Sequence, residues 1–455
     1  MGNCYSGELP IEPRDAIIHK SPHPHIVVPD ITIWEVAEKQ AKLHGDKPAF
    51  VCGLTHEVIT FSELFKRANR LAAAFRNDGV QKGSVVVVHS FNCIEYPVVV
   101  LALTGLGAVC SPSSPLFLPN ELNRQITKAK ASYVVTHKQL ENVALEAATN
   151  AGLTSDVMYT IGSTKEESEH NFKNIDDLVL QDKWIFKHKR IKPTTRVMLP
   201  FSSGTSGNPK GVCLSAKNLL ANAMQIGYVE PRGDNFLGLV PFFHIYGVML
   251  IHLSILQAKS IVILPRFMPD TLLGALSKYK GSAGRMVPNT ELRVRCVNTG
   301  KDLPANMEGE LLYRGPQVML GYENNHEANQ NIFTEDGFLR TGDIGYIDDD
   351  GFVFVIDRAK ELIKYKGHQV APGELEDVLN HHPAIADCCC VRGQNATGEE
   401  IPKAFVVLEH PGDLTVPTRE NVITYVSEPV VPYKKVCDVE FIDSISKNAS
   451  GKLLR

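Results

Sequence analysis

SSGTSGNPKG, residues 202–211, is the stretch on which the reading of this chain turns. A strand-like run, Val197 to Phe201, precedes it, and a second one, Val212 to Leu214, follows. Its glycines let successive backbone N–H groups point into one concavity, its hydroxyls add donors, and Lys210 adds a positive charge; a polyphosphate cradle needs these features. Ser202, Ser203, Gly204, Thr205, Ser206, Gly207 and Lys210 are the candidate phosphate-binding residues. The segment is not a Walker A loop, because its glycine spacing and ending differ and no helix follows at once. Taken alone, it also reads as a flexible Ser/Gly-rich hairpin turn.

Working outward, helical and strand patterns alternate from Ile31 onward. Trp34 to His44 and Phe61 to Asn77 carry apolar residues at helical spacing, while Val85 to His89 and Tyr133 to Thr136 are short apolar strands. Such alternation implies layered α/β architecture with a largely parallel sheet. Near Asp357 the character changes, and the last hundred or so residues read as a small α/β unit, with Pro372 at a helix start. The expected organisation is a flexible segment 1–30, a large domain 31–357 and a small domain 358–455. Asp348-Asp349-Asp350-Gly351 lacks the alternating ligand spacing of a calcium loop and reads as a hairpin turn.

Composition limits the function classes. A chain of 455 residues suggests about three compact units. Apolar residues make up 44% and charged residues 22%, which suits a large core. A net charge of −4 argues against a nucleic-acid binder. Ten cysteines contain no C-x-x-C pair, and the run Cys388, Cys389, Cys390 reads as a buried strand in a reducing compartment. The apolar run from Tyr96 to Cys110 falls short of the roughly 20 residues a membrane span needs. His19, His23 and His25, interleaved with prolines, read as a solvated loop rather than a metal site. The start, Met1-Gly2-Asn3-Cys4-Tyr5-Ser6, fits an acylation pattern at Gly2 with Cys4 placed for a second chain. That pattern would give weak membrane association; the other reading is an unstructured start. The expected location is cytoplasmic.

Further segments then enter in order: PFFHIYG (241–247), RGPQVMLGY (314–322), LRTGD (339–343), DRAKELIKYKGHQVAPGELE (357–376) and SGKLLR (450–455). With them the chain resembles the adenylate-forming enzymes, namely acyl-CoA synthetases, luciferases and peptide-synthetase adenylation domains. The nearest likeness is to 4-coumarate–CoA ligases. The resemblance implies a large multi-layer N-terminal α/β domain, a small mobile C-terminal α/β lid, and a site in the cleft between them. It implies ATP, Mg²⁺ and CoA as cofactors and a small carboxylic acid as partner.

The resemblance also assigns roles residue by residue. Asp343, expected at the end of a strand, would accept from two ribose hydroxyls, and Arg358 would reach the same ribose. His244, counted with the catalytic residues, would flank the acyl pocket, and Tyr246 would reach the acyl-adenylate. Without the resemblance, a His in so apolar a run reads as a core residue. Lys452 would serve adenylation by stabilising charge that builds on the α-phosphate. Lys364 and Gln369, on the opposite face of the lid, would serve thioester formation. Arg266, Lys366 and Gly367 would meet CoA. Asp357, Ala359 and Lys360 would form the hinge.

One family element is absent from its place. Where the family carries a stretch ending in Y-G-x-T-E, which meets adenine, α-phosphate and Mg²⁺, the sequence runs from Tyr279-Lys280 directly into Gly281-Ser282. The nearby Thr-Glu pairs, Thr290-Glu291 and Thr334-Glu335, lack the Tyr-Gly lead. The large domain is therefore read as internally shortened at 280/281. Loss of that stretch removes strands and pocket wall and should expose apolar surface, at ~25 cal/mol per Å². The acid–CoA ligase reading thus has an alternative: an inactive shortened form that binds nucleotide or CoA, or a lipid-anchored interaction protein.

Overall fold

The computed structural model describes residues 16–53, 55–162, 170–181, 185–202, 209–229, 235–238, 240–263, 286–358, 361–366, 368–370, 372–395, 397–409, 417–428, 430 and 435–445. Its longest regular helix near the N-terminus, Phe61–Asn77, begins where Thr60 accepts a hydrogen bond from the Glu63 N–H at 3.2 Å. Phe61, Leu64, Ala68, Leu71 and Phe75 recur at helical spacing and are buried against the core. The apolar run that begins at Tyr96 becomes the helix Tyr96–Leu106, buried along its whole length, and Gly107 ends it at φ 69°. Gly105 lets this helix lie on Trp34, since a Cβ there would come within 2.3 Å of the indole. Among the described residues, no helix is long and apolar enough to cross a membrane.

These helices cover a nine-stranded sheet. Its centre is Val85–His89, flanked in parallel by Val109–Ser113 and Tyr133–His137, with Met158–Ile161 beyond. Four consecutive valines suit a strand covered on both faces. The expected single run at 197–201 is two strands, Arg196–Met198 and Phe201–Ser202, parted at Pro200, which has no N–H to donate. A four-stranded sheet holds Asn235–Gly238, Ser260–Ile263, Pro48–Cys52 and Val58–Thr60 in that order.

The third sheet departs from the expected parallel pattern. Its strands His19–Lys20, Glu291–Arg295, Gly309–Arg314, Leu339–Ile347 and Val353–Arg358 pair antiparallel throughout. Asp348 to Gly351 form the expected tight turn, with the Gly351 N–H donating to the Asp348 carbonyl at 3.1 Å. Part of the segment expected to be flexible is fastened here. Lys20 pairs with Glu291, and Asn289 exchanges two side-chain hydrogen bonds with the main chain of Ile26. His19 thus lies in a strand rather than a solvated loop, and burial lowers its pKa.

After residue 360, a hairpin of Ile363–Tyr365 and His368–Val370 leads to the helix Pro372–Asn380 and a three-stranded sheet, Ile385–Gln394, Glu400–Leu408 and Asp438–Phe441. All three consecutive cysteines are buried, so the strand that carries them is covered on both faces. Their neighbours Ile363, Val370, Leu375, Val406, Val422 and Val439 make a core of their own.

Candidate active site

The hairpin around the phosphate-loop sequence is closed at its base. Phe201 pairs with Gly211 and Ser202 with Lys210 in antiparallel register, and Ser202 Oγ donates to the Lys210 carbonyl at 3.4 Å. Ser203, Gly204, Thr205, Ser206 and Gly207 lie outside the described residues. The strand Lys210–Ser215 continues into the helix Ala216–Val229, and pairs on its other side with Gly321–Tyr322. The Glu323 N–H donates to the Gly211 carbonyl at 2.8 Å, which binds the end of the 314–322 motif to the base of the hairpin. The Glu323 carboxylate pairs with Arg196 and accepts from the Cys213 thiol at 3.1 Å. Lys210 Nζ stands over the Tyr322 ring, 5.1 Å from its centre.

Two more motifs meet this edge. Asp343 and Arg358 are direct partners on neighbouring antiparallel strands, and Arg358 Nε lies 2.7 Å from the Asp343 carboxylate. Arg358 is also close enough to Tyr322 for its charge to oppose the rise that burial gives the phenol's pKa. On the other side, burial and the Asp343 carboxylate push the Tyr313 phenol up to about 12. Asp343 is not at a strand end, as the sequence suggested, but in the middle of Leu339–Ile347. Gly342 just before it sits at φ 71°, and the pairing shifts register at Ile344 and Gly345. Thr341 secures the turn: its Oγ1 donates to the Leu311 carbonyl at 2.7 Å and accepts from the Asp343 N–H at 3.0 Å.

His244 is not a core residue. It caps the helix Ile245–Gln257, its Nδ1 accepting from the Tyr246 N–H at 3.3 Å. Its ring is exposed, and Tyr246 is 50% exposed beside it. Gly247 is required at this start, because a Cβ would come within 2.2 Å of the Pro241 carbonyl oxygen. In the small unit, Lys364 and Gln369 are register partners across the hairpin, and the Lys364 side chain is exposed. The Lys364 N–H donates to the Glu400 carboxylate at 2.9 Å. Lys366 turns the hairpin at φ 49° with its ammonium 5.2 Å from the Tyr365 ring centre.

Ser202, Lys210, Tyr322, Arg358 and Asp343 are thus linked in series, while His244 and Lys364 stand on separate elements. Arg266, Ala359, Lys360, Gly367, Lys452, Gly2 and Cys4 lie outside the described residues. Tyr322 stands within a motif quoted above, yet its part in linking the others depends on strand pairing that no local pattern shows. Among the described residues, no three His, Cys, Asp or Glu side chains converge as metal ligands.

A layered α/β body with a hydroxyl- and glycine-rich hairpin at its edge, followed by a small α/β unit, is the architecture of adenylate-forming enzymes. The chain belongs to the AMP-binding enzyme family, whose model matches residues 37–282 and 271–323, while the AMP-binding enzyme C-terminal domain matches residues 374–452. A probable CoA ligase of Humulus lupulus is 30% identical over 541 positions, covering all of this chain and 96% of the relative. A 4-coumarate–CoA ligase of Oryza sativa subsp. japonica is 30% identical, covering 97% and 95%. Solved structures agree in fold. ATP-bound MatB from Rhodopseudomonas palustris superposes with a TM-score of 0.82 at 21% identity, covering 94% of this chain and 97% of that one. The o-succinylbenzoate CoA synthetase of Bacillus subtilis, in complex with its acyl-adenylate, gives 0.77 at 22%, covering 94% and 98%.

Proposed function

We propose that the protein is an ATP-dependent carboxylic acid–CoA ligase. The acid's carboxylate attacks the α-phosphorus of ATP, pyrophosphate leaves, and the CoA thiol then displaces AMP to give the thioester. The pairing of Asp343 with Arg358 beside Tyr322 and Lys210 carries this reading. A carboxylate whose direction is held by a guanidinium is suited to accept from two neighbouring ribose hydroxyls. Residues 203–208, between the paired ends Ser202 and Lys210, on this reading meet the phosphates.

On this reading His244 and Tyr246 face the acyl end, and Lys452 meets the charge developing at the α-phosphate. Lys364 and Gln369 serve the thioester step, and Arg266, Lys366 and Gly367 meet CoA. The body runs over 31–357 and the lid over 358–455. Binding of AMP, measured by calorimetry, and exchange of pyrophosphate into ATP across a panel of hydroxycinnamates and fatty acids test it. Failure of AMP to bind overturns it.

A second reading is favoured by one observation. The family model matches in two pieces that overlap at 271–282. The Humulus alignment spans 541 positions against 455 residues, so at least the difference, 86 positions, faces a gap. This supports a shortened form that keeps nucleotide binding and lacks adenylation. The 455-residue chain then binds AMP without catalysing exchange, and restoring the missing stretch at 280/281 returns it. Exchange by the unrestored chain rules this second reading out.

A further inference from the structure

Asn92 lies just past the strand Val85–His89 of the nine-stranded sheet and is 7% exposed. Both ends of its amide are used on one distant stretch of main chain. Its Oδ1 accepts from the Phe242 N–H at 2.7 Å, and its Nδ2 donates to the Val240 carbonyl at 3.0 Å, with the Gly238 carbonyl at 3.5 Å. Those atoms run from the last residue of Asn235–Gly238, in the four-stranded sheet, almost to the helix that His244 caps. Only a side chain with an acceptor and a donor in one planar group can hold that stretch from both sides. Burying such a group is costly unless every bond is made, so its presence fixes one arrangement of the turn.

The rest of the turn leaves little freedom downstream. The Phe242 ring is fully buried, 5.8 Å from the ring of Tyr96, which opens the helix that follows the Asn92 loop. The His244 N–H donates to the Pro241 carbonyl at 3.0 Å, and Gly247 packs onto the same carbonyl. The direction of the chain at Phe242 therefore decides where the His244 imidazole and the Tyr246 phenol stand.

We infer that Asn92 is a positioning residue for His244 and Tyr246, tying the turn that carries them to the carboxyl end of the central strand. Its effect on ligand binding rests on the ligase reading given above; its effect on His244 does not. The test uses the full chain labelled in histidine: wild type, Asn92→Ala and Asn92→Asp are compared by the ring resonances of His244, which their loss in His244→Ala assigns, and the Asn92→Ala/His244→Ala double variant is made alongside. The same proteins are titrated with AMP and with a non-hydrolysable acyl-sulfamoyl adenosine.

Asn92→Ala should move the His244 resonances and leave AMP affinity within twofold. It should reduce the preference for the acyl-adenylate analogue over AMP at least tenfold, as His244→Ala does, and the double variant should lose no more than His244→Ala alone. Asn92→Asp, which keeps the acceptor for Phe242 and loses the donor, should fall between and supplies the result if the alanine variant does not fold. Unmoved His244 resonances, or equal losses of AMP and analogue affinity, overturn the inference. Moved resonances with an unchanged preference in both Asn92→Ala and His244→Ala uphold the positioning role and reject the acyl-site reading of His244.

Discussion

Arg358 and Asp343 face one another across two antiparallel strands, with the guanidinium Nε 2.7 Å from the carboxylate. Their side chains are 49% and 27% exposed, so the pair contributes only ~0–1 kcal/mol to stability. If both meet a nucleotide ribose, their substitution should show in binding far more than in folding. Asp343→Ala and Arg358→Ala should each weaken AMP at least ~tenfold, about 1.4 kcal/mol, with melting temperature nearly unchanged. Equal AMP affinity in calorimetry for wild type and Asp343→Ala would move the ribose site elsewhere.

Much of the fold was legible because it is written locally. The helical spacing of apolar residues between Phe61 and Asn77 marks that helix without reference to anything distant. The four valines before His89 likewise mark a doubly covered strand. Of the antiparallel sheet only the turn at 348–351 was legible, since no local pattern shows that His19–Lys20 pairs with Glu291 and Leu292. Asp343 was expected at a strand end, whereas Gly342, at φ 71°, bends a strand that continues to Ile347. The small unit's outline followed from its sequence, but Asn92 left no signal at all, since its partners are backbone atoms about 150 residues away.

Glu376 gives the small unit a pH dependence of known sign. It is 9% exposed on the helix Pro372–Asn380, and Oε1 accepts from the Cys390 N–H at 2.7 Å. Burial, with smaller contributions from Asp357 and Asp387, pushes its pKa up from 4.5 to about 7. A raised folded pKa means the folded state holds the proton after the unfolded state has lost it. This contribution to stability is therefore complete below pH 4.5 and lost as the pH rises to about 7. Glu376→Gln can still accept from Cys390 and does not titrate. Its stability relative to wild type should rise between about pH 5 and pH 8 by on the order of 2 kcal/mol. Thermal melts at both pH values check this, and a difference that does not change with pH rejects it.

Lys452 should matter to chemistry and little to binding. A positioned ammonium acts on charge that develops only as the carboxylate attacks the α-phosphorus. In a chain restored at 280/281, Lys452→Ala should slow pyrophosphate exchange by ~10²–10³ or more while AMP affinity stays within a few-fold. Near-normal exchange would mean that another group does this work.

The last prediction concerns how the small unit is attached. Asp357, near the end of the strand Val353–Arg358, accepts from two backbone donors: the Arg358 N–H at 2.7 Å and the Gly373 N–H at 2.9 Å. The second donor is in the first turn of the helix Pro372–Asn380, where a carboxylate is favoured by the unpaired N–H groups. One side chain thus holds the helix of the small unit against the strand that precedes the proposed hinge. If, as the resemblance implies, Lys452 serves adenylation and Lys364 with Gln369 serves thioester formation from the opposite face, that unit must turn between the two steps. Asp357→Ala should loosen the present arrangement and speed amide exchange in 372–380, without unfolding the body. Ala359→Pro should do something different, because proline fixes φ near roughly −65° and removes the torsion that a hinge needs. In the restored chain it should slow one half-reaction much more than the other, read as pyrophosphate exchange and CoA-thioester formation measured separately. Equal loss of both would signify misfolding, and no loss of either would place the pivot outside 357–360.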